Sequence, residues 1–130
     1  MKVALGIGCD RGTPADTIAR AVDAALEQAG ADASSICAVA SIDLKADEQG
    51  LLDIAAARGW HIRFYPAAEL SGVVVPNPSE VVRKYAGTPS VSEAAALLAA
   101  ATDMSQLLVE KYKLRGPDGR NATISIARIK

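Results

Sequence analysis

The sequence predicts a three-layer α/β domain with a mostly parallel sheet and an antiparallel C-terminal edge strand. Three observations carry that expectation. Short apolar, β-rich runs alternate with segments whose apolar residues recur at helical spacing. Glycine, proline or a capping residue punctuates the boundaries. The last two strand-like runs are joined through Pro117-Asp118-Gly119, a turn that sets them antiparallel. At 130 residues the chain reads as one domain, residues 1–130, and a second core would not fit.

Taken in order, residues 3–8 form an apolar run that reads as a buried first strand. Thr13 then caps a helix with Pro14 at its first position, where a missing N–H costs nothing. Ile18, Ala21, Val22, Ala25 and Leu26 supply the helical period, and Gly30 ends it. Residues 36–41 form a second buried strand, followed by a charged loop over 41–48. A helix carrying Leu51, Leu52, Ile54 and Ala55 stops at Gly59. Trp60, Ile62 and Phe64 alternate with His61, Arg63 and Tyr65, the period of a strand with one less buried face. Residues 66–76 are irregular, with one helical turn near Ala68. Asn77-Pro78-Ser79-Glu80 reads as a capped helix start, with that short helix ending near Gly87, and Ser90 to Glu93 repeats the capping-box spacing ahead of an Ala/Leu-rich helix to about Ala101. Residues 107–110 form a fourth strand and 122–129 the last.

Composition excludes several classes of function. Half the residues are hydrophobic, enough for a core without disulfide or metal staples. The net charge of -1 and one tryptophan, three tyrosines and one phenylalanine argue against nucleic acid and against an anionic membrane. The N-terminal apolar run is too short for a signal peptide or a membrane span, which points to the cytoplasm. Cys9 and Cys37 have no metal-ligand spacing and read as free thiols, and a single histidine, His61, cannot build a histidine-rich metal site. No metal and no cofactor are expected.

In open α/β sheets ligands bind beyond the carboxyl ends of the strands. The loops expected there are 8–13, 41–48, 65–67 and the stretch from Lys111 onward. Gly6-Ile7-Gly8-Cys9-Asp10-Arg11-Gly12-Thr13 is a glycine-rich strand-to-helix turn. It is either a tight turn or a cradle of N–H groups for a carboxylate or phosphate, with Arg11 favouring a carboxylate. Its glycine spacing is one residue too long for a dinucleotide fingerprint, and no Gly-Lys-Ser/Thr phosphate loop is present. In the charged loop, Asp43 and Lys45 either pair on the surface or share a crevice with Arg11. In the second case Asp43 or Glu48 could activate a water, and Lys45 could hold an anion. The helix starts at Asn77 and Ser90, with Ser79 and Thr88, offer further donors, and Glu80 and Glu93 read as capping residues. Lys111 and Lys113, just past the fourth strand, could add positive charge. The candidate ligand residues are therefore Gly8, Cys9, Arg11, Gly12, Thr13, Ser41, Lys45, Asn77, Ser79, Thr88, Ser90, Lys111 and Lys113, with Asp43 and Glu48 as candidate catalytic acids.

Four blocks resemble the CobE/CbiG C-terminal domain family of cobalamin biosynthesis: residues 6–13, residues 40–48, Pro76-Asn77-Pro78-Ser79-Glu80, and Gly87-Thr88-Pro89-Ser90-Val91-Ser92-Glu93-Ala94. They fall in the family's order and span essentially the whole chain. The first block often reads Gly-Cys-Arg-Arg-Gly in this family, so Asp10 departs from it. The larger CbiG proteins open the ring lactone of cobalt-precorrin-5A and release a two-carbon fragment. This chain lacks their N-terminal portion and looks like the free-standing members of the aerobic route. The resemblance implies a precorrin or corrinoid ligand, a flat apolar ring edged with carboxylates, bound for protection or for delivery to a neighbouring corrin-pathway enzyme. The alternatives are lactone hydrolysis and a subunit that acts only with a partner enzyme.

Overall fold

The computed structural model describes residues 1–76 and 91–130. Five strands form one sheet: β1 (Lys2–Cys9), β2 (Ile36–Ile42), β3 (Ile62–Tyr65), β4 (Leu107–Arg115) and β5 (Asn121–Ile129). The order across the sheet is β3-β2-β1-β5-β4. β1, β2 and β3 pair in parallel, while β5 runs antiparallel to both β1 and β4. Four strands therefore point the same way and β5 alone is reversed. The four described helices are α1 (Ala15–Ala29), α2 (Gln49–Arg58), α3 (Ala67–Leu70) and α4 (Val91–Ala100).

Strand alternation sends successive β1 residues to opposite faces. Val3, Leu5 and Ile7 meet Ile18, Val22 and Leu26 of α1 and Leu51 and Ile54 of α2 in one core. Ala4 joins Ala40, Ile42, Leu70 and the buried alanines of α4 in the other. These are the three layers. The second core is built from small residues because α4 lies almost on the strand. A Cβ placed on Gly6 would stand 1.8 Å from the Ser92 carbonyl oxygen and 2.7 Å from the Ala96 nitrogen. Gly6 is there so that the helix backbone can approach.

The fold class is the expected one, with local corrections. The reversed strand β5 is not at the margin; the hairpin puts it inside, between β1 and β4. β4 continues five residues beyond Glu110, so Lys111 and Lys113 lie within a strand rather than after it. The reason is a period of two in Lys111-Tyr112-Lys113-Leu114-Arg115, where Tyr112 and Leu114 pack on the α1-side core. β3 begins at Ile62 instead of Trp60, whose ring sits 5.9 Å from the Arg58 guanidinium.

Helix α1 begins at Ala15, with Pro14 as its N-cap and no side-chain cap. The Thr13 hydroxyl donates elsewhere, to the Asp10 carbonyl at 2.7 Å and the Asn121 carbonyl at 3.3 Å. Gly30 and Gly59 end α1 and α2 in the left-handed conformation, as their positions predict. Glu93 is fully buried, its Oε1 3.3 Å from the Lys111 ammonium. The helix start at Asn77 with Glu80, its end near Gly87 and the Ser90 capping residue lie outside the described residues. No described helix is long and apolar enough to cross a membrane.

Candidate ligand-binding site

The carboxyl ends of β1, β2, β3 and β4 share one rim with the amino end of β5. On the α1 side of that rim, charged groups are tied to one another. The Glu48 carboxylate is almost fully buried and accepts from the Gly12 N–H at 2.7 Å through Oε1. Its Oε2 lies 3.1 Å from the Arg11 guanidinium. Arg11 also reaches Asp47 at 2.9 Å and donates to the Leu44 carbonyl at 3.1 Å. Gly12 can expose its N–H to Glu48 because it adopts a φ of +79°. Arg120 closes the turn from the other side, donating from Nε to the Arg11 carbonyl at 2.9 Å.

Asp10 completes the lock. Its carboxylate accepts from the Asn121 backbone N–H at 2.8 Å and the Asn121 side-chain amide at 3.1 Å. The pair extends the β1–β5 ladder one step beyond Cys9 and Ala122. Cys9 lies half-buried beneath this cluster, its thiol pushed up to about 11. Loss of solvation is the main cause; Glu48 and Asp10 add to it, while Lys45 and Arg11 oppose it. At neutral pH Cys9 is a protonated, inert thiol.

The α4 side is different. Lys113 pairs with Thr123, and Thr123 pairs with Gly8. Ile42 lies two residues past Ala40 just as Gly8 lies two past Gly6, whose partner Ala40 is, and Ile42 in turn pairs with Tyr65. Ile42 and Tyr65 belong to the α4-side core, which fixes the face of this row. The row Lys113, Thr123, Gly8, Ile42 and Tyr65 thus crosses all five strands at the carboxyl end. Among the described residues, the nearest neighbour of a Cβ built on Gly8 is the Thr123 Cβ, 4.0 Å away.

The structure brings Gly8, Cys9, Arg11, Gly12, Thr13, Lys45, Glu48 and Lys113 to one rim, but on two sides of it. The Gly12 N–H and both Glu48 oxygens are engaged inside the protein. Glu48 is thereby a buried acid that holds the turn. Ser41 is fully buried and donates to the Ile7 carbonyl at 2.6 Å, tying β2 to β1. Asp43 is exposed in a short 3-10 turn (Asp43–Lys45). Lys111 is on β4, bound to Glu93. Asn77, Ser79, Thr88 and Ser90 lie outside the described residues. Sequence reasoning missed Asp47, Arg120, Asn121 and Thr123. Only Thr123 had a signal, its place in the alternating run of β5. A groove of about 710 Å³ near Val73, Met104 and Leu107 lies at the amino end of β4, and none of the described residues lining it is among those expected.

The family model for the cobalamin synthesis G C-terminus matches residues 3–127. A cobalt-precorrin-5A hydrolase of Priestia megaterium is 37% identical over 127 residues, which cover 98% of this chain and 32% of the hydrolase. The chain thus spans about a third of that relative's length. Protein CobE of a Sinorhizobium species is 38% identical over 109 residues, 82% of this chain and 70% of that protein. The crystal structure of CobE, a protein from the cobalamin biosynthetic pathway, superposes with a TM-score of 0.82 at 29% identity, covering 98% of this chain and 93% of that one. The cobalamin biosynthesis protein chiG of Agrobacterium tumefaciens matches with a TM-score of 0.67 at 31% identity, covering 98% of each chain.

Proposed function

Because this chain belongs to the cobalamin synthesis G C-terminus family, and so to cobalamin biosynthesis, we propose that it binds a precorrin or corrinoid intermediate at its carboxyl rim. It acts in the cytoplasm and protects the intermediate or delivers it to a neighbouring corrin-pathway enzyme. The observation that carries binding over hydrolysis is the state of Glu48. The buried acid of the rim accepts from Gly12 with one oxygen and faces Arg11 with the other, and its burial keeps it from open water, which disfavours it as a general base. The cations along the rim, Lys45 and Lys113 among them, suit the acetate and propionate carboxylates of a precorrin.

The test is to mix the purified protein with isolated precorrin intermediates and follow visible absorbance and product mass together. Retained pigment with a shifted spectrum and unchanged mass is the expected result. A mass change with release of a two-carbon fragment would overturn it in favour of hydrolysis, the activity named for the Priestia relative. Asp43 would then be the acid to replace, as Asp43→Asn. Neither binding nor conversion would leave a subunit that acts only with a partner enzyme.

A further inference from the structure

The described glycines do not all have the same reason to be glycine. Gly6 is required by the α4 backbone, Gly50 by the Thr13 carbonyl oxygen 2.1 Å from its would-be Cβ, and Gly116 by the Thr17 hydroxyl at 2.6 Å. Gly12 needs its positive φ. Among the described residues, Gly8 has none of these reasons. It is a strand residue paired with Thr123, its φ lies outside the left-handed region, and a methyl group there would meet only ordinary contact among the described residues. Glycine inside a strand weakens it, and its usual explanation is close approach by a ligand or another backbone.

Gly8 lies two residues beyond Gly6, so it sits about 7 Å further along the strand than the point where α4 covers β1. Toward β4 the row offers an exposed cation and a half-buried hydroxyl, Lys113 and Thr123, and toward β2 it runs into Ile42, already buried in the α4-side core. No described residue bonds to the Thr123 hydroxyl. We infer that the strand at Gly8, half-buried and uncrowded by any described residue, is the seat of the ligand's ring edge on the α4 side of the rim, with Thr123 and Lys113 meeting a carboxylate there. This rests on the corrinoid-binding reading above and adds to it a face, a contact residue and an orientation.

The probe is cobyrinic acid, a corrin whose peripheral acids are free, with cyanocobalamin as the amide-bearing comparator. Affinity is read by visible absorbance titration and folding by thermal denaturation, for the natural chain, Gly8→Ala, Gly8→Val and Lys113→Ala. The expected result is that both Gly8 variants melt within about 2 °C of the natural chain or above it. Gly8→Val then binds cobyrinic acid about tenfold or more weakly, because branched methyl groups occupy the seat. Gly8→Ala falls between. Lys113→Ala weakens cobyrinic acid about threefold and leaves cyanocobalamin unchanged.

Two results overturn the inference alone: a large fall in melting temperature for Gly8→Ala, which would give that glycine a packing reason, or full affinity in a folded Gly8→Val. If the natural chain binds neither corrinoid nor any precorrin, the binding reading fails and this one with it.

Discussion

The two sides of the carboxyl rim use the same strand ends for opposite purposes. On the α1 side, Asp10, Arg11, Asp47, Glu48, Arg120 and Asn121 are joined by short hydrogen bonds. On the α4 side the strand ends run from Lys113 through Thr123 and Gly8 to Ile42, and the Lys113 and Thr123 side chains make no hydrogen bond to a described residue. The difference arises within one octapeptide. Gly12 and Arg11 turn toward the α2 loop, while Gly8 faces the opposite way because strand side chains alternate. An anion-binding turn was a fair inference from these glycines, but the anion it binds is the protein's own Glu48. A satisfied cluster of that kind holds three loops in register.

The largest break in this comparison comes from replacing the two glycines of one strand face. Gly6→Ala drives a Cβ into the Ser92 carbonyl and is expected to destabilise the fold by about 3 kcal/mol or more. Gly8→Ala, two residues on, is expected to change stability by less than about 1 kcal/mol. Chemical denaturation of the pair measures the contrast directly.

Glu48 comes next. Glu48→Ala leaves the Gly12 N–H without its acceptor and is expected to cost about 2–3 kcal/mol. Glu48→Gln keeps an acceptor for Gly12 but turns its NH2 toward the Arg11 guanidinium, so it should cost less than the alanine change. A reversal of that order would show that charge, not the hydrogen bond, holds the turn.

Cys9 gives a smaller and pH-dependent effect. Its thiol is raised from 9.0 to about 11, so burial disfavours the thiolate in the folded state. Stability from this group is complete below pH 9 and declines as the pH climbs toward 11. At pH 8, alkylation of Cys9 in the folded chain should run about a hundredfold slower than in the unfolded chain, whereas the exposed Cys37 reacts in both. Mass spectrometry of the singly labelled protein identifies which cysteine reacted.

The smallest effect belongs to the exposed Arg11–Asp47 contact. The Arg11 guanidinium holds the Asp47 carboxyl below its ordinary 3.8, so the pair stabilises the fold above that pH and loses its effect as the pH falls through the lowered value. Carbon-detected NMR should find the Asp47 titration moving back up in Arg11→Ala.

Much of this was legible in the sequence, and the misses have physical causes. The helical period of α1 and the terminal glycines at 30 and 59 gave the first two helices, because amphipathic spacing and left-handed caps are local signals. The run from Lys111 to Arg115 looked like charged loop, yet its alternation with Tyr112 and Leu114 is that of an edge strand with one face buried. The position of β5 inside the sheet depends on which neighbour β1 accepts, a long-range choice that no local pattern encodes. In the site, the rule for parallel strands placed the loops after β1 and β2 at the rim, while the stretch from Lys111 proved to be strand as far as Arg115. That Glu48 would fill the Gly12 turn could not be read, since it depends on two loops 36 residues apart folding onto each other. Thr13 was misjudged because a competing carbonyl, Asn121, comes from the far end of the chain.

The division of the rim into a locked side and a receiving side is tested most directly by amide NMR of the isotope-labelled chain titrated with cobyrinic acid. The account predicts the largest shifts at Gly8, Thr123 and Lys113, with the Gly12 amide keeping its Glu48-bonded position. Shifts centred on Arg11, Gly12 and residues 43–48, with Gly8 and Thr123 unmoved, would contradict it.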